Sequence, residues 1–252
     1  MSRGARFHAA LGNHDVRRCP AAASDPLPAD ASAYRTGEPG CDVEVQLGHS
    51  GFGYVGGRRY YTVSSDEGPV PLVQVFALDS NTLRIKGGKL GSGREDVAQI
   101  AWLEAALAAS SARWKIVMLH HPPESPRGSG YLGFVHHERE RGVGAQLERI
   151  LKRYGVDVVF AGHNHFYARM APRDGVRYFV SGGGGRRLYG MSQSAGYLAA
   201  GGEFFHFVYV RASESRLEYY AIDSKGNSRD AGWFAKGDAT DTPLPPGTLP
   251  PR

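Results

Sequence analysis

The chain of 252 residues is poor in cysteine, in long apolar runs and in concentrated charge. Its two cysteines, Cys19 and Cys41, allow one bridge at most. Their spacing is equally compatible with a bridge and with two free thiols. No stretch approaches the apolar length needed to cross a bilayer, which excludes a membrane-spanning helix. The N-terminus has two early arginines but only a short apolar run, so it lacks the pattern of a signal peptide and leaves the compartment open. A net charge of +5 and a pI near 9.2 would suit an anionic partner. However, no basic cluster interleaved with aromatics stands out, which argues against a nucleic-acid surface. Hydrophobic content of 41% and charged content of 22% are ordinary for a globular protein large enough to bury a substantial core.

Against this plain background one theme recurs. Lys115 to Leu119 is a short apolar run that ends in His120-His121-Pro122-Pro123. Val156 to Ala161 ends in Gly162-His163-Asn164-His165. Near the start, Phe7 to Leu11 leads into Gly12-Asn13-His14-Asp15. Each time, metal-binding residue types stand where a buried strand should stop. In open α/β sheets ligands gather outside the carboxyl ends of strands, so three such ends suggest a metal site.

The surrounding pattern supplies the scaffold. Phe7–Leu11, Arg59–Ser64 and Leu72–Asp79 read as strands, the last two rich in β-branched and aromatic residues. Helical spacing predicts helices over Glu95–Ala109 and Val143–Tyr154, with Gly155 at a C-terminal cap. Val176–Ser181, Phe204–Val210 and Arg216–Asp223 read as further strands, the last two as a hairpin. Residues 19–57 are rich in Pro, Ala and Gly and read as a long loop or lid. Glu124–Gly133 reads as a rim loop, and His136 and His137 as part of a charged surface segment. Residues 1–235 form one expected domain, and the proline-rich 236–252 an expected disordered tail.

Residues two apart in an extended segment project to one side, so His163 and His165 could serve two ions about 3.5–4 Å apart. They could equally be ordinary loop histidines. Gly162 would let the backbone turn tightly beside them. Adjacent residues on a strand face opposite ways, so one of His120 and His121 is expected as a ligand and the other as a supporting group. Asn13 offers a neutral oxygen. His14 beside it is a candidate proton donor near neutral pH, or simply a turn histidine.

In combination these motifs resemble the calcineurin-like metallophosphoesterase superfamily, and most closely its purple acid phosphatase-like branch. The matching stretches are Gly12 to Asp15, Leu78-Asp79-Ser80, Gln99 to Glu104, Trp114 to Pro123, Gly162 to Tyr167 and Tyr178 to Gly185. The resemblance implies an α+β fold, a four-layer α/β/β/α sandwich of two mixed sheets with a dinuclear site on its edge. It implies that Asn13, His120 and His163 hold one metal ion, that His165 holds the other, and that His14 is the catalytic histidine. The expected ions are Fe, Zn or Mn and the expected partner a small phosphorylated substrate, hydrolysed by a metal-activated hydroxide.

One departure qualifies this. The family's Asp-x-His and its Gly-Asp, which carries the bridging carboxylate, precede the Gly-Asn-His-Asp motif, and here only Met1 to Leu11 precede Gly12. The expectation is therefore a domain lacking its first strand–helix–strand unit and impaired as given. The alternative is an inactive form that binds a single metal ion or phosphate.

Overall fold

The computed structural model describes residues 6–16, 18–20, 22, 27–49, 53–66, 68–83, 97–123, 125–126 and 143–251. Most of the predicted rim loop, together with His136 and His137, lies outside the described residues. The helices are α1 (Val43–Gly48), α2 (Val97–Ala109) and α3 (Val143–Arg153). The strands are β1 (Tyr61–Ser64), β2 (Val73–Ala77), β3 (Trp114–Leu119), β4 (Val158–Ala161), β5 (Tyr167–Met170) and β6 (Arg177–Ser181). They continue with β7 (Leu198–Gly202), β8 (His206–Ala212), β9 (Arg216–Asp223), β10 (Ser228–Ala235) and β11 (Thr242–Pro243).

A seven-stranded mixed sheet has the order β1-β2-β3-β4-β6-β5-β7. Its centre, β2-β3-β4-β6, is parallel, and β1, β5 and β7 are antiparallel additions at the edges. α2 connects β2 to β3 and α3 connects β3 to β4, the crossovers that parallel neighbours require. The second sheet, β11-β10-β9-β8, is antiparallel throughout. The expected pair of sheets is thus present, the second one antiparallel because short hairpins between consecutive strands permit only that pairing.

Period-two alternation assigns the core. Phe76, Val117, Val159 and Tyr178 face α2 and α3, meeting Ile100, Leu103, Leu107, Leu147, Ile150 and Leu151. The alternate residues Trp114, Ile116, Val158 and Phe179 face the second sheet and meet Leu217, Tyr219, Ala221 and Phe234. Each such fully buried side chain contributes about 1.5–3 kcal/mol. On the far face of the second sheet Tyr220, Ile222 and Ala231 pack with Leu244, and no described helix joins that cluster. The fold is therefore a two-sheet α/β sandwich with its described helical layer on the first sheet.

Three expectations need correction. Residues 6–12 are extended but form no strand, because side chains rather than a neighbouring strand satisfy their backbone. Tyr61 Oη meets both Ala9 N and Ala9 O, and Asn81 Nδ2 donates to Leu11 O at 3.2 Å. Residues 19–57 are more than a loop. Leu27, Tyr34, Val43 and Leu47 bury with Leu11 and Val16 around a Cys19–Cys41 disulfide. The segment expected to be a disordered tail is also ordered up to Pro251. Thr242 pairs with Trp233, and buried Asp241 accepts from Arg177 Nε at 2.9 Å and Tyr219 Oη at 3.0 Å.

The lid segment is joined to the sheet through Asp79, just after β2. This fully buried carboxylate accepts from Tyr34 Oη at 2.6 Å and Arg59 Nη1 at 3.0 Å on one oxygen, and from Asn81 N and Nδ2 on the other. Burial first, then the Asp79 charge, push the Tyr34 hydroxyl well above its ordinary pKa, so it stays a donor. Asp79→Ala would leave the Arg59 guanidinium buried and unpaired, and is expected to cost about 3–5 kcal/mol in urea unfolding. Asp79→Ala combined with Arg59→Met should recover much of that loss. A single substitution costing under about 1 kcal/mol would contradict the buried pair.

Candidate metal centre

β3 and β4 are parallel neighbours in register, Leu119 opposite Ala161, so the residues after both strands emerge at the same edge. His120 and His121 follow β3, Gly162 to His165 follow β4, and Ser80 follows β2. Asn13 reaches the same place from the 6–12 segment. His120 Nε2 lies 2.8 Å from Asn13 Oδ1 and 3.2 Å from His163 Nδ1. Two nitrogens sharing a tetrahedral ion at about 2.0–2.1 Å stand about 3.3 Å apart, so the His120–His163 spacing fits a common ion.

Close approach at this corner depends on glycine. A Cβ on Gly12 would lie 2.9 Å from His120 Nδ1, so a side chain there would displace the imidazole. A Cβ on Gly182, at the end of β6, would lie 2.0 Å from Asn164 O, where backbone cannot yield. The turn after β4 is tight. Asn164 N bonds Gly162 O at 2.7 Å and Phe166 N bonds Asn164 O at 2.8 Å. The left-handed residue in that turn is His163 itself, at φ 64°, rather than Gly162. A non-glycine residue in this region is strained, a feature that concentrates at functional sites.

The turn also changes where the histidines point. His163 joins the cluster, while His165 Nδ1 donates to Arg187 O at 2.7 Å and its ring lies 4.3 Å from Tyr189. Gly162–Phe166 is a run of tight turns, so strand alternation does not set the direction of these two histidines. His121, expected as the supporting partner of His120, stands beside it and bonds Ser80. One ligand atom each from His120, His121 and His163 lie within 4.8 Å of one another. β3 ends at Leu119, before either histidine, so strand alternation does not set their directions. The pattern of two histidines directly beyond a strand end was the available signal.

His120 is half-buried, and its pKa is lowered to about 4 by burial, with the neighbouring charges of His14 and His165 adding to the effect. Its imidazole is therefore neutral and able to donate a lone pair at neutral pH. His14 is exposed at the corner, next to Asn13. Among the described residues, the imidazole cluster contains no carboxylate.

A two-sheet sandwich with imidazole and amide donors gathered at its strand ends defines a candidate metal centre. The calcineurin-like phosphoesterase family model matches residues 1–167, and the chain belongs to that family. Purple acid phosphatase 17 of Arabidopsis thaliana is 36% identical over 87 residues, covering 34% of this chain and 23% of that protein. Human tartrate-resistant acid phosphatase type 5 is 27% identical over 143 residues, 52% of this chain and 40% of that protein. Among solved structures, purple acid phosphatase PPD1 from yellow lupin superposes with a TM-score of 0.60 at 21% identity, covering 90% of this chain and 40% of that one. The structural likeness concerns the fold. The chain thus matches well under half the length of these relatives.

Protonation of His120 is disfavoured in the folded state relative to the unfolded one. The unfolded chain then binds more protons between about pH 6.5 and 4, so stability falls as pH drops through that range. His206, whose pKa burial also lowers, acts in the same direction. For the metal-free protein, melting temperatures should decline from pH 7 to pH 5, and His120→Gln should flatten part of that decline. An unchanged slope in the variant would contradict a buried neutral imidazole.

Proposed function

We propose that this domain hydrolyses small phosphate monoesters with the aid of metal ions held at the corner formed by Asn13, His120 and His163. The observation that carries this reading is the convergence of those three side chains, from three separate chain segments, to 2.8 and 3.2 Å. Asn13, His120 and His163 would hold one ion, and His165, from the same turn, a second one. Fe, Zn and Mn are the ions considered, and imidazole donors suit the borderline members of that group. A bound ion supplies Lewis-acid charge for the phosphoryl oxygens and makes water acidic enough to attack at neutral pH.

The chain's own groups do the rest. Neutral donors leave the charge of the site available to an anionic substrate rather than cancelling it. His14, exposed beside Asn13, protonates or stabilises the leaving oxygen. Arg186 and Arg187, exposed after the glycine run and adjoining His165 through the Arg187 carbonyl, add positive charge at the edge where phosphate would arrive.

A second reading is a domain that binds one ion or phosphate without turnover. The absence of a carboxylate from the described imidazole cluster favours it, because nothing there would bridge two ions. An aryl phosphate assay with added Mn, Zn or Fe separates the two. Hydrolysis that a chelator abolishes and metal restores is expected under the first reading. His14→Gln should then lower kcat about 10²–10⁴-fold while metal content stays unchanged. Stoichiometric metal uptake with no hydrolysis would favour the second reading, and hydrolysis indifferent to chelator would remove both.

A further inference from the structure

We propose that His121 is a third imidazole ligand to the ion held by His120 and His163, oriented by Ser80, so that this position takes a borderline divalent cation such as Zn²⁺ or Co²⁺. This rests on the reading of the corner as a metal centre and adds to it a ligand and an orienting group.

Three observations carry it. First, the rings of His120, His121 and His163 form a closed triangle, with centroids 4.9, 4.6 and 5.1 Å apart, and one ligand atom of each falls within 4.8 Å of the others. Second, His121 is held from behind. Ser80 Oγ accepts from the His121 backbone N at 2.9 Å and lies 2.9 Å from His121 Nδ1. This is the arrangement in which ligating histidines commonly occur, with one ring nitrogen in a hydrogen bond that sets the tautomer and leaves the other for the metal. With Nδ1 donating to Ser80 Oγ, Nε2 would be the nitrogen that His121 offers the ion. Third, the donors are chemically consistent: three imidazole nitrogens and the Asn13 amide oxygen, all neutral. Such a set suits Zn²⁺, Co²⁺ or Fe²⁺, whereas Mg²⁺ and Ca²⁺ favour oxygen ligands. Three histidines with a further position for a weak ligand or substrate is also a recognised catalytic zinc pattern.

Ser80 belongs to the same short segment as Asp79 and Asn81. Asn81 Nδ2 donates to the carbonyls of Leu11 and Gly12 at 3.2 and 3.3 Å, directly before Asn13. One loop after β2 therefore orients donors from two other parts of the chain. The cluster is supported without a carboxylate of its own.

The test is zinc titration of the chelator-stripped full chain by calorimetry, with Co²⁺ visible absorption as a second readout. At least one ion per chain, held at this position, is expected for the unaltered protein. His121→Phe should weaken zinc binding by more than the roughly 10–100-fold typical of losing an outer partner, and should change the Co²⁺ spectrum. Ser80→Ala should weaken binding about tenfold and Ser80→Thr should restore it. His121→Gln, which keeps a polar side chain of similar reach, guards against a folding defect, checked by metal-free melting. If His121→Phe and His121→Gln bind zinc within twofold of the unaltered chain, the inference is overturned while the proposed hydrolysis stands. If the unaltered chain takes up neither zinc nor cobalt, both fall.

Discussion

The Asp79 carboxylate is the point on which the geometry of this protein converges. A charge sealed from water is tolerable only when every lone pair is used. Here a guanidinium, a phenol, an amide and a backbone N–H use them. Its own backbone N and O are taken by the buried side chain of Gln99 on α2, at 2.8 and 3.1 Å. The lid segment, the loop after β2 and the first turn of α2 are thereby locked to one atom group. The neighbours of Asp79 pass that rigidity on, Ser80 to His121 and Asn81 to the carbonyls before Asn13.

A second constraint is steric. The donors can converge only because glycine stands opposite them, Gly12 beneath the His120 ring and Gly182 against the Asn164 carbonyl. The left-handed conformation of His163 adds local strain that packing must hold in place. Buried Asn164 supports that turn by donating from Nδ2 to Ser125. Preorganisation of this kind suits a site that must receive an ion and an anionic substrate without rearranging.

The second sheet contributes to the centre indirectly. It covers the face of the first sheet opposite the helices, and a charged seam fixes the two together. Arg169 meets Asp230 at 2.7 Å, and Arg169 and Arg177 both reach Asp241. Asp241 comes from the proline-rich C-terminal segment, so composition misleads there: prolines disfavour regular structure but do not prevent a short edge strand from pairing. The helix α1 was similarly invisible, being six residues long and stabilised by burial of Val43 and Leu47 rather than by propensity.

Periodicity in the sequence by itself determined α2, α3, β3, β4 and the β8–β9 hairpin, each with boundaries close to those observed. It also set His120 and His163 just beyond two strands, and the parallel pairing of β3 and β4 brings their next residues to one edge, whereas Asn13 reaches that edge from a segment that is no strand. β5, β7, β10 and β11 escaped notice. The four-residue β5 lacks alternation because it is enclosed on both faces, and β11 is only two residues long. Only the tertiary structure decided the final aim of each donor. His121 came to lie beside His120 and His163, and His165 against Arg187 O and Tyr189, because strand alternation stops where the ladder of hydrogen bonds stops. Beyond that point side-chain direction is set by turns and by contacts such as Ser80 and Arg187, which lie far away in sequence.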